Sequence, residues 1–164
     1  MLKERIQNEL KESLKKGDQN KRLVLGMLMT SVKNKELAKR QQLSKILSDA
    51  TDMENQSQLS DDEIIEVISS ELKKRKESVE QFIAGGRQEL ADKERAEIDI
   101  LLTYLPEQLN EEEISKEIKS IISSLGAQGL KDMGKVISAV MTKLKGRADG
   151  TTVSRIVKES LLSD

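Results

Sequence analysis

The residues best suited to chemistry stand in one short stretch, K-L-K-G-R-A-D-G, from Lys143 to Gly150. It sets Lys143 and Lys145 at the end of an apolar-periodic segment, glycines at 146 and 150 where the backbone must turn, and Arg147 just ahead of the next such segment. Phosphate is bound by that combination of cations and the free amides of a helix N-terminus. The same residues also fit helix-end lysines that complement the dipole, with ordinary turn glycines between them. The wider stretch from Ala127 to Lys158 adds Lys131, Lys135, Arg155 and Lys158, making seven cations against two acids, Asp132 and Asp149. The whole chain has a formal net charge of −1, so this basic character is local.

Other chemistry has few tools. The 164 residues include no cysteine and no histidine, which removes the usual nucleophile-base pairs and most zinc or iron ligands. No catalytic residue, metal ligand or cofactor is assigned, and intrinsic catalysis is not expected. The run D-K-E-R-A-E-I-D-I (92–100) offers carboxylates, but their spacing serves ion pairing with Lys93 and Arg95 across one helical turn. Glu111, Glu112 and Glu113 are what a helix dipole favours in a first turn, so a metal site is set aside. K-K-R-K (73–76) resembles a basic targeting or nucleic-acid patch. Set among Glu66, Glu71, Glu77 and Glu80, it reads better as a solvated, salt-paired helix face. Met27, Met29, Met133 and Met141 read as core filling rather than a partner groove. Phe82 and Tyr104 are the only aromatics; the core must be aliphatic, and platforms for base stacking are missing.

The elements that must position these residues are all helical. Leu2, Ile6, Leu10 and Leu14 share one face, and Gly17 supplies a left-handed stop. Asp18 can cap a second helix with a stripe of Leu23, Val24, Met27, Leu28, Ser31 and Val32, and Leu25 and Met29 at its edge. Residues 44–60, rich in Ser, Asp, Asn and Gln, are expected to be a loop. Ser60 and Glu63 then form a capping box for a helix carrying Ile64, Ile68, Leu72, Val79, Phe82 and Ile83, ended by Gly85-Gly86. A fourth helix from about Arg87 carries Leu90, Ile98, Leu101 and Leu105 and stops at Pro106, the one proline. Beyond it Asn110 caps a helix with Ile114, Ile118, Ile121, Ile122 and Leu125. Two short helices follow, one with Met133, Val136, Ile137, Val140, Met141 and Leu144, the other with Val153, Ile156, Val157 and Leu161 behind Asp149 as cap. The expected fold is all-α: a multihelical N-terminal domain over 1–105, with a polar loop at 44–60, then a small three-helix bundle over 106–164.

The N-terminus is charged from its third residue and has no apolar h-region, so no secretory signal is read there. No apolar run approaches the ~20 residues that cross a bilayer. A soluble cytoplasmic protein without a membrane partner is the expectation.

The run I-L-L-T-Y-L-P-E-Q-L-N-E-E-E-I, the later G-L-K-D-M-G-K-V-I-S-A-V-M-T-K-L-K-G-R-A-D-G-T-T-V-S-R-I-V-K-E-S-L, and A-G-G-R-Q-E-L resemble the GatB/YqeY family. These are small stand-alone proteins similar to the tail of the B subunit of the glutamine-dependent aspartyl/glutamyl-tRNA amidotransferase. Thr142 stands where the family often has proline, and 44–60 looks longer than the usual connector. The resemblance implies two helical domains joined at Tyr104 to Leu109, with Tyr104 and Pro106 as the hinge. It also implies a tail that holds tRNA while amide transfer takes place in domains missing here, so a carbon-nitrogen ligase label would describe the assembly only. The expected partners are tRNA and an amidotransferase or other translation-related protein. Lys131, Lys135, Lys143, Lys145, Arg147 and Arg155 would face the RNA backbone, and Gly134, Gly146 and Gly150 would allow close approach. The rival is a helical protein-interaction module with no nucleic-acid role, its C-terminal charge only solubilising.

Overall fold

The computed structural model describes residues 1–162, and among them the chain is all-α, with eight α-helices, one 3-10 turn and no strand. It divides after Tyr104 into two compact units, each with its own buried core.

The first unit comprises α1 (Leu2–Lys16), α2 (Gln19–Leu43), α3 (Ala50–Ser57), α4 (Asp61–Ala84) and α5 (Gln88–Leu102). Local chemistry sets most of the boundaries. Gly17 ends α1 at φ 73°, a left-handed conformation that costs a glycine no Cβ clash. The Asp18 carboxylate accepts the Lys21 amide at 3.0 Å and opens α2. At α4, Ser60 Oγ accepts the Glu63 amide at 3.2 Å while the Glu63 carboxylate accepts the Ser60 amide at 2.8 Å. The Lys39 ammonium holds the Glu63 carboxyl below its usual range, with the Ser60 amide adding to the effect.

α2 and α4 run antiparallel in a register visible in their polar pairs. Lys39 meets Glu63 at 2.9 Å, Lys35 meets Glu66 at 3.0 Å, and Ser31 donates to Glu71 at 3.2 Å, stepping down one helix and up the other. The buried apolar residues of this unit include Val24, Leu25, Leu28 and Val32 of α2, Ile64, Ile68 and Leu72 of α4, Ile6 of α1 and Leu101 of α5. Each such side chain contributes about 1.5–3 kcal/mol by leaving water.

Four sequence expectations change here. The segment 44–60 is not all loop: Asp49 accepts the amides of Thr51 and Asp52 at 2.8 and 2.9 Å and starts α3. A short helix fastened by its cap needs no long apolar period, which is why none was visible. On α1 the buried position is Ser13, not Leu14, and Ser13 Oγ donates to the Leu10 carbonyl at 2.8 Å. On α2 the stripe is rotated, with Leu25 at its centre and Leu23 and Met27 exposed. In the basic run, Lys73, Lys74 and Lys76 are solvated, but Arg75 is buried and pairs with the buried Glu97 of α5 at 3.1 Å. Glu97 therefore reaches across to α4 rather than along its own helix to Lys93.

The second unit holds α6 (Glu111–Leu125), a 3-10 turn (Leu130–Asp132), α7 (Met133–Lys143) and α8 (Gly150–Leu162). Asn110 and Glu113 exchange amide bonds at 2.9 Å each and open α6; Gly126 closes it at φ 59°. Ile114, Ile118, Ile121 and Ile122 of α6 pack with Val136 and Val140 of α7 and Val153, Ile156, Val157 and Leu161 of α8 around one aliphatic core. No described helix is long and apolar enough to cross a membrane.

Candidate nucleic-acid interface

The cations singled out in the sequence all belong to the second unit, and the fold sorts them into two sets. Lys131 lies in the 3-10 turn and Lys135 one helical turn later on α7; both are exposed. Ser138 and Thr142 follow at helical spacing and are exposed too, giving α7 a polar outer stripe that leads toward the 143–150 turn. Arg147 is exposed in that turn, and Lys145 is half-buried. Lys131, Lys135 and Arg147 have no acidic partner among the described residues.

Lys143 and Arg155 face α6 instead. Lys143 Nζ lies 2.7 Å from Glu117 Oε2. Arg155 Nη2 donates to Glu111 at 2.6 Å, and its Nη1 donates to Glu159 at 3.3 Å. Hydrogen bonds to Glu111, then to Glu159, raise the Arg155 guanidinium further above its ordinary value. Glu159 stands one helical turn after Arg155 on α8, but Glu111 and Glu117 had no visible link to the basic residues in the sequence, because they come together with them only when α6 packs beside α7 and α8.

The glycines also differ. Gly134 is exposed in the first turn of α7. Gly150 opens α8, where Asp149 accepts the Thr151 amide at 2.9 Å and the Thr152 hydroxyl at 2.8 Å. Gly146 sits at φ 72° and is buried. It is covered by the segment after Pro106: Gln108 Nε2 donates to the Gly146 carbonyl at 2.6 Å, and the Leu109 amide donates to the Arg147 carbonyl at 2.9 Å. Gln108 is the residue that sequence reasoning missed. Its one signal was its place in L-P-E-Q-L, beside the proline. Pro106 is exposed at the head of this segment. Tyr104 closes the first unit, its hydroxyl donating to Glu9 at 2.7 Å and its ring lying under the Arg5 guanidinium at 5.1 Å.

An open groove between α6 and α8, lined by Ser115, Lys119, Ser123, Glu159 and Ser160 over Ile122 and Ile156, contains none of these cations. No cluster of acidic residues able to hold a metal ion occurs among the described residues.

Comparison with known proteins places this geometry in context. The family model described as Yqey-like protein matches residues 43–161. Three fungal proteins, each named Altered inheritance of mitochondria protein 41, mitochondrial, are similar to the chain. The one from Pyrenophora tritici-repentis is 33% identical over 102 residues, covering 60% of this chain and 56% of that protein. Those from Saccharomyces cerevisiae and Candida glabrata are each 24% identical, covering 73% and 62% of this chain and 58% and 48% of their own. The chain thus spans about half the length of the curated relatives it matches. Their names overturn the cytoplasmic expectation, since these relatives are mitochondrial proteins. That expectation rested on the lack of a secretory h-region, which does not distinguish cytosol from organelle.

Proposed function

Because the chain belongs to the Yqey-like protein family, we propose that it is a non-catalytic tRNA-binding accessory protein, acting beside an amidotransferase or another translation-related protein. The observation that carries this reading is the exposed cation set of the second unit. Lys131 in the 3-10 turn, Lys135 on the outer stripe of α7 and Arg147 in the 143–150 turn are exposed, and among the described residues none of the three has an acidic partner. Backbone phosphates are read by shape and charge, and a chain with two aromatics has little else to offer RNA. Lys143 and Arg155 take a lesser part, because Glu117, Glu111 and Glu159 already neutralise them.

The test compares two variants of the full chain for binding to bulk tRNA at low salt. Lys131/Lys135/Arg147→Ala is expected to lose roughly tenfold or more in affinity, about one charge-assisted hydrogen bond at least. Lys143/Arg155→Ala is expected to lose less, since it frees three acids as it removes two bases. Equal losses, or none in the first variant, contradict the assignment.

A second reading, a protein-interaction module, is favoured by a separate observation. Leu23, Met27 and Leu37 of α2 are each about half exposed, at 49, 45 and 53%. The stretch 105–164 also carries as many acids as bases, nine of each. Absence of tRNA binding by the wild type at low salt favours this second reading.

A further inference from the structure

We propose that residues 106–109 are a latch that straps the 143–150 turn and, by doing so, sets the length of free chain joining the two units. Four contacts build it: the Leu109 amide on the Arg147 carbonyl at 2.9 Å, Gln108 Nε2 on the Gly146 carbonyl at 2.6 Å, the same amide group on the Pro106 carbonyl at 2.9 Å, and Arg147 Nε on the Glu107 carbonyl at 3.3 Å. The strap fits because Gly146 takes a left-handed φ of 72° that turns its carbonyl within reach of Gln108. The contacts involve backbone groups on both sides, so they fix chain path rather than merely decorate a surface.

The other end of the connector is fixed as well. Tyr104 is buried, with its hydroxyl on Glu9. Between Tyr104 and the strapped Glu107 only Leu105 and Pro106 are left to join the units, and each adds at most about 3.5 Å of reach. Pro106 narrows them further, by its own fixed φ and by restricting Leu105. With the strap released, the next fixed residue is Asn110, held by its capping box with Glu113. The connector then grows from two residues to five, and those gained lie beyond the proline.

Arg147 makes the latch responsive. A phosphate that takes the guanidinium edge competes with the Glu107 carbonyl for the Nε proton, so occupancy of the turn favours release. By linkage, a released strap favours occupancy to the same degree. This coupling rests on the proposed RNA reading; the strap and the connector length do not.

Hydrogen exchange at the Leu109 amide reads the latch directly in the full chain. In Gln108→Ala, and in Gln108→Glu, which keeps the side-chain shape but puts a carboxylate toward the Gly146 carbonyl, Leu109 is expected to exchange about five- to tenfold faster. Protection of α6, α7 and α8 should be unchanged, and ¹⁵N relaxation should show lowered order at residues 107–109, now part of the free connector. Unchanged Leu109 exchange, or unchanged order at 107–109 with Leu109 released, overturns the latch. Bulk tRNA added to the wild type should speed Leu109 exchange; tRNA that binds without doing so overturns the coupling. If tRNA does not bind at all, the RNA reading and the coupling fall together, while the Gln108 variants still decide the strap.

Discussion

Glu9 joins α1, α2 and the end of the first unit through one carboxylate. It accepts from Lys21 Nζ and the Tyr104 hydroxyl at 2.7 Å each and from Arg5 Nε at 3.0 Å. Burial by itself would raise the Glu9 carboxyl; the hydrogen bonds from Lys21, Tyr104 and Arg5 outweigh it and hold the group at about 2, against an ordinary 4.5. The same contact works the other way on Tyr104, where burial and then the Glu9 carboxylate push the hydroxyl up. A carboxyl lowered by folding stabilises the fold fully above about 4.5 and loses that contribution as pH falls toward about 2. Urea unfolding followed at Tyr104, the sole tyrosine, should therefore lose about 2 kcal/mol between pH 6 and pH 2.5 through this group, an estimate reduced for its partial exposure. In Glu9→Gln the protein should be less stable at pH 6, and the pH dependence should shrink by that amount. Equal pH dependence in the two proteins counts against the assignment. The partnership was illegible in the sequence: Glu9 and Tyr104 stand 95 residues apart, and no local pattern links them.

At the scale of helices, what was legible is what neighbours in the chain decide. Asp18, Ser60 with Glu63, and Asn110 with Glu113 cap within three residues, and Gly17 and Gly126 stop helices by their own backbone freedom. The phase of α2 was not legible, because Leu23, Val24, Leu25, Met27 and Leu28 leave apolar groups on nearly every side and only packing selects Val24, Leu25 and Leu28. Arg75 was lost in a basic run for the same reason; the acid that buries it lies on the next helix. That pair makes a sharp prediction for the α4–α5 hairpin. Arg75→Ala leaves Glu97 buried without its partner and should cost about 3–5 kcal/mol by chemical denaturation. Replacing both, Arg75→Met with Glu97→Leu, should recover most of that loss or all of it. A double variant as unstable as the single one would mean that the ion pair stabilises the hairpin beyond its desolvation cost.

For the molecule as a whole, a chain with a formal net charge of −1 sets acids against several of its bases. The second unit looked basic from Ala127 onward, yet α6 brings Glu111 and Glu117 against Arg155 and Lys143. The candidate site is therefore narrower than the list of cations in the sequence, and centred on Lys131, Lys135 and Arg147. The family was legible in L-P-E-Q-L and K-L-K-G-R-A-D-G, and the structure adds a physical reason for those two runs to occur together: one straps the other.

Salt dependence of bulk tRNA binding by the full chain tests the central claim most directly. The dissociation constant, followed by fluorescence anisotropy from about 50 to 200 mM salt, should rise linearly on logarithmic axes. The slope should fall by roughly 0.7–0.9 for each phosphate contact removed in Lys131/Lys135/Arg147→Ala. No binding at the lowest salt, or one slope shared by wild type and variant, would contradict the account.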